Sequence, residues 1–319
     1  MIKGHGDDLY RYEGIKANFS SNVYGATDNQ ALMQHLASVL VERSASYPEP
    51  EPYTLQARLA EYHGLRPENI LVTNGATEAI YLIAHSLAGR QVSIAEPTFS
   101  EYRSATELYQ SPIVSGASIR WMCNPNNPTG QARAEELTEG EELLIVDRSY
   151  EYFCRKALPS LLLDGRHIYI YSLTKRYRMP GLRLGYIVAS DELIARIAAM
   201  RQPWSVNALA IEAGLWLVQN RFPESIDRQR MWAESDALYH RLSSLPGIEI
   251  EPTDTHFMLL RTPIEASVLK ERLALDYAIL VRDASNFEGL SPYHIRIASQ
   301  GQAADERLVI ALSDIMAQA

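Results

Sequence analysis

Short apolar runs rich in β-branched residues alternate with longer stretches in which apolar residues recur at helical spacing. The runs cover 70–73, 91–95, 119–123, 143–147, 167–171 and 184–189, and each is short enough for a buried strand. Between the first two, Ala79, Ile80, Ile83 and Leu87 mark one face of a helix over 77–87. Strands alternating with helices predict an α/β fold with a mostly parallel central sheet flanked by helices. From about residue 220 the pattern changes. A helical stretch over 223–245 leads to short strands at 248–251, 257–260, 279–282 and 294–297, then a final helix over 304–316. These spans predict a large domain over 44–220 and a smaller α/β C-terminal domain over 221–319. Residues 1–43 are expected to lie beside the smaller one.

A mostly parallel sheet binds ligands beyond the carboxyl ends of its strands. The residues with chemistry to offer fall at those ends: Asn74-Gly75-Ala76-Thr77, Pro97-Thr98-Phe99, Asn124 to Gly130, Asp147 and Ser172 to Lys175.

Composition narrows the class. The chain has 319 residues, 46% hydrophobic and 22% charged, which suits a globular protein of two domains. Its net charge of −9 argues against a nucleic-acid or membrane-surface protein. The two cysteines, Cys123 and Cys154, have no metal-ligand spacing and make no disulfide framework. No apolar run approaches membrane-spanning length, and the N-terminus lacks an apolar signal core. A cytoplasmic enzyme without metal is the expectation.

The segment Ser172-Leu-Thr-Lys175-Arg-Tyr-Arg-Met-Pro-Gly-Leu-Arg183 joins two predicted strands. Read blandly, it is a solvated basic loop. Its place at a sheet edge favours a working lysine: cations lower the pKa of an amine and supply the neutral form that attacks a carbonyl. Arg183 could hold a phosphate bidentately while the lysine reacts. Gly75, Ala76 and Thr77 open a helix, where free N–H groups and a hydroxyl suit either a phosphate or an ordinary cap. Asp147, at a strand end, suits a protonated ring nitrogen or a structural turn. Tyr150 and Asn127 are both candidates for a ring oxygen, and Phe99 could face the ring or belong to the core. Arg282 and Arg296, on neighbouring predicted strands, suit a substrate with two anionic groups. The set matches pyridoxal 5′-phosphate chemistry.

Asn127-Pro-Thr-Gly130, Asp147 with Tyr150, Ser172-x-x-Lys175 and Arg183 stand in the order found in the aspartate-aminotransferase superfamily, fold type I of the pyridoxal-phosphate enzymes. The resemblance runs from Tyr47-Pro48 to Arg296. It implies that Lys175 carries the cofactor and shuttles protons, that Asp147 pairs with the pyridinium, and that Asn127 and Tyr150 meet the ring oxygen. It further implies that Phe99 stacks on the ring, and that Ala76, Thr77, Ser172 and Arg183 hold the cofactor phosphate. Arg296 would take the substrate α-carboxylate. Tyr47 resembles a tyrosine that reaches the cofactor of a neighbouring subunit, which implies a homodimer with shared sites.

Within the superfamily the chain is similar to the branch of threonine-phosphate decarboxylases and histidinol-phosphate aminotransferases. His5-Gly6-Asp7, Phe19-Ser20-Ser21-Asn22 and the stretch from Arg282 to Arg296 resemble the decarboxylases. Arg282, with His5, is then the candidate for a substrate phosphate, and Asn22 is a further candidate for contact with the substrate. The reaction implied is decarboxylation of L-threonine O-3-phosphate to (R)-1-aminopropan-2-ol O-phosphate, a step of cobalamin biosynthesis. The alternative is transamination of histidinol phosphate. The interval between Asn127 and Asp147 is short for the superfamily and could remove a surface helix. A pyridoxal-binding regulator would show a DNA-binding helix-turn-helix and a basic patch, and a dinucleotide-dependent oxidoreductase a Gly-x-Gly-x-x-Gly turn; none of these is apparent in the sequence.

Overall fold

The computed structural model describes residues 7–318. Twelve strands form among them: β1 Ala17–Asn18, β2 Ile70–Thr73, β3 Ser93–Ile94, β4 Ile119–Cys123, β5 Leu143–Asp147, β6 His167–Ser172, β7 Gly185–Ala189, β8 Glu249–Ile250, β9 Phe257–Arg261, β10 Ile279–Leu280, β11 Arg282–Asp283 and β12 His294–Ala298. The helices are α1 Gln30–Ser44, α2 Tyr53–His63, α3 Gly75–Ser86, α4 Glu101–Leu108, α5 Asp191–Ala198, α6 Ala208–Gln219, α7 Arg228–Ser243, α8 Ala266–Tyr277 and α9 Gln302–Met316.

The six-stranded sheet has the order β2-β7-β6-β5-β4-β3. Neighbours from β3 to β6 run parallel, and β7 runs antiparallel to both β2 and β6. Its strands read as unbroken apolar runs because helices cover both faces. Alternate residues therefore feed two cores. Ile119, Trp121, Ile145, Ile168 and Ile187 pack with Ala79, Ile80 and Ile83 of α3. Met122, Leu144, Val146 and Val188 pack with Leu55 and Leu59 of α2 and Leu217 of α6. Leu144, Ile145 and Val146 are fully buried, each contributing about 1.5–3 kcal/mol of transfer free energy.

The second sheet, β11-β12-β9-β8, is antiparallel. One face, with Met258, Leu260, Ile295 and Ile297, closes a third core against α8 and α9. Arg296 lies on the other face, directly across from Leu259 on β9 and Arg282 on β11.

The strand expected over 279–282 is divided between two sheets. β10 pairs in parallel with β1, while β11 pairs with β12. The partner that captures β10 lies more than 250 positions upstream, so local apolar pattern carries no trace of the division. The N-terminal segment is shared. β1 adds to the β10 side, and Phe19 receives a hydrogen bond from the Ala298 N–H at 3.0 Å. Leu32 and Leu36 of α1 belong instead to the core under α2 and α6.

Candidate active site

The carboxyl ends of β4, β5 and β6 and the start of α3 surround a cavity of about 190 Å³. Ala76, Thr77, Phe99, Asn127, Asp147, Tyr150, Ser172, Lys175, Arg183 and Arg296, ten of the residues expected from sequence, line it. Asp147 is the last residue of β5, and its neighbours in the ladder are Cys123 on β4 and Ile170 on β6. Its carboxylate is buried, accepting from the Tyr102 hydroxyl at 2.8 Å and from the Ser149 N–H at 2.8 Å. Burial pushes its pKa up, and the donors from Ser149 and Tyr102 work against that rise. A carboxylate so held suits a neighbouring ring N–H, which supplies the positive partner.

Lys175 follows β6 on a short loop, and its Nζ donates to the Ser21 carbonyl at 3.0 Å. Its pKa falls to about 8. Burial is the largest cause, Arg296 and Arg183 push the same way, and Asp7 opposes them. The sequence argument named only the cations; removal from water matters more. Much of the amine is therefore neutral near pH 8, as a nucleophile or proton carrier requires.

Gly75 opens α3 at φ +76°, and a Cβ there would lie 2.8 Å from Arg183 Nη2. A Cβ on Gly185 would meet the Gly75 carbonyl carbon at 2.7 Å and the Ala76 nitrogen at 2.8 Å. These two glycines let β7 cross close to the start of α3. Arg183 thereby comes beside Thr77, with Nη2 3.4 Å from the hydroxyl. The Ser172 and Thr174 hydroxyls share a bond of 2.8 Å across the same mouth. Helix N–H groups, three hydroxyls and a guanidinium make a cup that fits a phosphate ester.

Arg296 is buried; Nη1 donates to Asn127 Oδ1 at 2.5 Å and Nη2 to the Ser20 carbonyl. Its Nε is buried without a partner among the described residues. Burial lowers its pKa to about 10, with Tyr150 acting against the shift. Tyr150 in turn is pushed up to about 12 by burial, opposed by Arg296.

The remaining expected residues fall outside the cavity wall. Arg282 is buried beside Arg296, donates to Asn286 Oδ1 at 2.7 Å and lies over the Phe287 ring. Asn22 is fully buried at φ +55°. Tyr47 is 87% exposed and rests against Trp204, away from the cavity. His5 lies outside the described residues.

Sequence reasoning gave no site role to Asp7, Ser20, Ser21, Tyr102, Cys123, Ser149 or Thr174, all of which line the cavity. Tyr102 stacks on Trp121 at 5.5 Å and stands edge-on to Phe99 at 5.9 Å. Its position three residues beyond Phe99, at the start of α4, was the available signal.

The profile of the class I and II aminotransferase family matches residues 14–119 and 116–312. The chain belongs to that family. Its cofactor is pyridoxal 5′-phosphate, and the phosphate cup, Lys175 and Asp147 fit that molecule. The chain is similar to the threonine-phosphate decarboxylase of Salmonella typhimurium, 32% identical over 303 residues, covering 85% of this chain and 83% of that one. It is also similar to a histidinol-phosphate aminotransferase of Symbiobacterium thermophilum, 29% identical over 337 residues, covering 96% and 91%. The crystal structure of L-threonine-O-3-phosphate decarboxylase from Porphyromonas gingivalis superposes with a TM-score of 0.89 at 32% identity, covering 94% of this chain and 99% of that one. Among the described residues, no helix is long and apolar enough to cross a membrane, and no cluster of metal-ligating side chains occurs.

Proposed function

We propose that this enzyme decarboxylates L-threonine O-3-phosphate to (R)-1-aminopropan-2-ol O-phosphate. The observation that carries the reading is the pair Arg282 and Arg296, adjacent on one sheet face and both buried, with Arg296 in the same cavity wall as Lys175. Two buried guanidiniums suit a small molecule with two anionic groups. The decarboxylases of Salmonella typhimurium and Porphyromonas gingivalis, each 32% identical to this chain, support it.

When bound, the cofactor's pyridine ring takes up the electron pair of the bond that breaks at the substrate Cα. Asp147 would keep a proton on the ring nitrogen, its own charge steadied by Tyr102 and Ser149. Gly75, Ala76, Thr77, Ser172 and Arg183 would hold the phosphate end, Phe99 the ring face, and Asn127 or Tyr150 the ring oxygen. Arg296 would fix the α-carboxylate, Arg282 and His5 are the candidates for the substrate phosphate, and Asn22 is a candidate for contact with the substrate. Lys175 would hold the cofactor through Nζ, and its amine, neutral near pH 8, would carry a proton to the substrate Cα. Tyr47, exposed and far from its own cavity, supports a homodimer in which it serves the neighbouring site.

The test incubates holoenzyme with L-threonine O-3-phosphate and no keto acid, measuring carbon dioxide. Stoichiometric release is expected. Glutamate formed only from histidinol phosphate and 2-oxoglutarate would replace this reading with transamination.

A further inference from the structure

Asp7 is an acid where the proposed substrate is an anion. It lines the cavity together with Lys175, Arg183 and Arg296. Asp147 is the other acid on the wall, and its two oxygens already accept from Tyr102 and Ser149. Asp7 is exposed at the lip, where Oδ1 accepts from Asn18 Nδ2 at 2.6 Å. Oδ2 has no hydrogen-bond partner among the described residues. The residue sits at φ +64°, a left-handed conformation that non-glycine residues adopt at a cost, less for Asp than for most. Its charge acts on Lys175 in opposition to Arg296 and Arg183.

The backbone around Asp7 is latched at both ends. On one side, its N–H donates to Ser20 Oγ at 3.2 Å, and the carbonyl of the same Ser20 receives Arg296. On the other, Asp8 accepts from Lys270 Nζ at 2.5 Å and the Tyr12 hydroxyl donates to Glu271 at 2.5 Å, both partners on α8. The strap over 7–12 thus holds a carboxylate against the cationic mouth. Nothing in Asp147 or the cofactor cup requires that charge there.

We infer that Asp7 determines substrate selectivity: its carboxylate occupies the anion position at the lip, and a small phosphomonoester binds by displacing it. This rests on the reading of a phosphorylated substrate given above. Weakly held anions, such as free phosphate, are excluded by the competition. A ligand that also engages Arg296 and the cofactor gains enough to displace the carboxylate.

The probe is inorganic phosphate, titrated calorimetrically into holoenzyme so that the cofactor's own phosphate already fills the cup. Asp7→Asn keeps side-chain shape and tolerates the left-handed backbone. It should bind phosphate about tenfold more tightly, as expected for removing a like charge from the lip of a partly hydrated site. L-threonine, which lacks the phosphate, should change by less than about twofold on the same scale. Asp7→Gly should match Asp7→Asn; tightening in the glycine variant alone would assign the effect to backbone strain and overturn the inference. Unchanged or weaker phosphate binding in Asp7→Asn would overturn it as well, as would equal tightening of both ligands. If phosphate binding is unaltered while threonine phosphate still yields carbon dioxide, only the role of Asp7 falls. If neither wild type nor variants bind phosphate and threonine phosphate yields no carbon dioxide, the phosphorylated-substrate reading falls with it.

Discussion

One wall of the cavity is made at the ends of neighbouring parallel strands; the other is gathered from segments far apart in the chain. On the first wall, Asp147 sits at the end of β5 between β4 and β6, and Lys175 follows β6 within three residues. On the second, Arg296 reaches the Ser20 carbonyl across 276 positions of sequence, and Lys175 reaches Ser21 across 154. The first wall is rigid because fully buried ladders fix it, and a cofactor with one binding pose suits such a surface. The second is built from loop carbonyls and a strap, which can be exchanged to alter what the site accepts without disturbing the first.

The sharpest way to break this comparison is Lys175→Ala. If the strand-end wall carries the cofactor, borohydride reduction fixes cofactor to the wild-type chain and leaves the variant unlabelled, while both retain the fold. Turnover should fall roughly 10²- to 10⁴-fold or more, the range for losing a positioned acid–base group. The pH dependence follows from the sign of the shift. The folded-state pKa is lowered to about 8, so the neutral amine accumulates as pH rises through that value. Cofactor capture by the apoenzyme should speed up from pH 7 to 9 and then level. A rate still climbing toward pH 10.5 would mean an ordinary exposed lysine.

The same contrast explains what could be read from the sequence. Strand ends announce themselves locally: an apolar run stops and a polar residue follows, so Asp147, Asn127 and Ser172 were legible without any structure. Ser172-x-x-Lys175 and Arg183 added an ordered spacing that resembles a family. The division of 279–282 between two sheets, the carbonyls of Ser20 and Ser21, and the carboxylate of Asp7 were not legible. Each depends on a partner more than 10 positions away, usually through backbone atoms that every residue possesses. Tyr102 lay between these cases. A tyrosine early in a helix reads as core, and it does stack on Trp121, yet its hydroxyl is committed to Asp147.

A smaller effect probes the second wall. Arg296→Lys keeps the charge and loses the planar fork that spans Asn127 Oδ1 and the Ser20 carbonyl while a carboxylate is held. Hydrogen bonds to charged groups contribute about 1.5–3 kcal/mol, so KM should rise on the order of tenfold to a hundredfold. Cofactor retention should be unaffected. Loss of cofactor in this variant would show that the two walls are not separable.

The smallest expected change lies within the first wall. Tyr102→Phe removes one of two donors to Asp147 and leaves the Ser149 N–H in place at 2.8 Å. Stacking on Trp121 is preserved, so the fold should be little affected. Burial already pushes the Asp147 carboxyl up, and removing a donor to its ionised form pushes it further. A more basic carboxyl binds protons that the pyridine nitrogen needs it to leave alone, and the pairing weakens as pH falls. With one donor retained, the loss should be roughly 1 kcal/mol, about fivefold in cofactor affinity. Equilibrium dialysis at pH 6 and pH 8 checks it. The deficit should be larger at pH 6, because protonation of Asp147 competes more strongly there. An equal deficit at both values would mean that Tyr102 acts through packing alone.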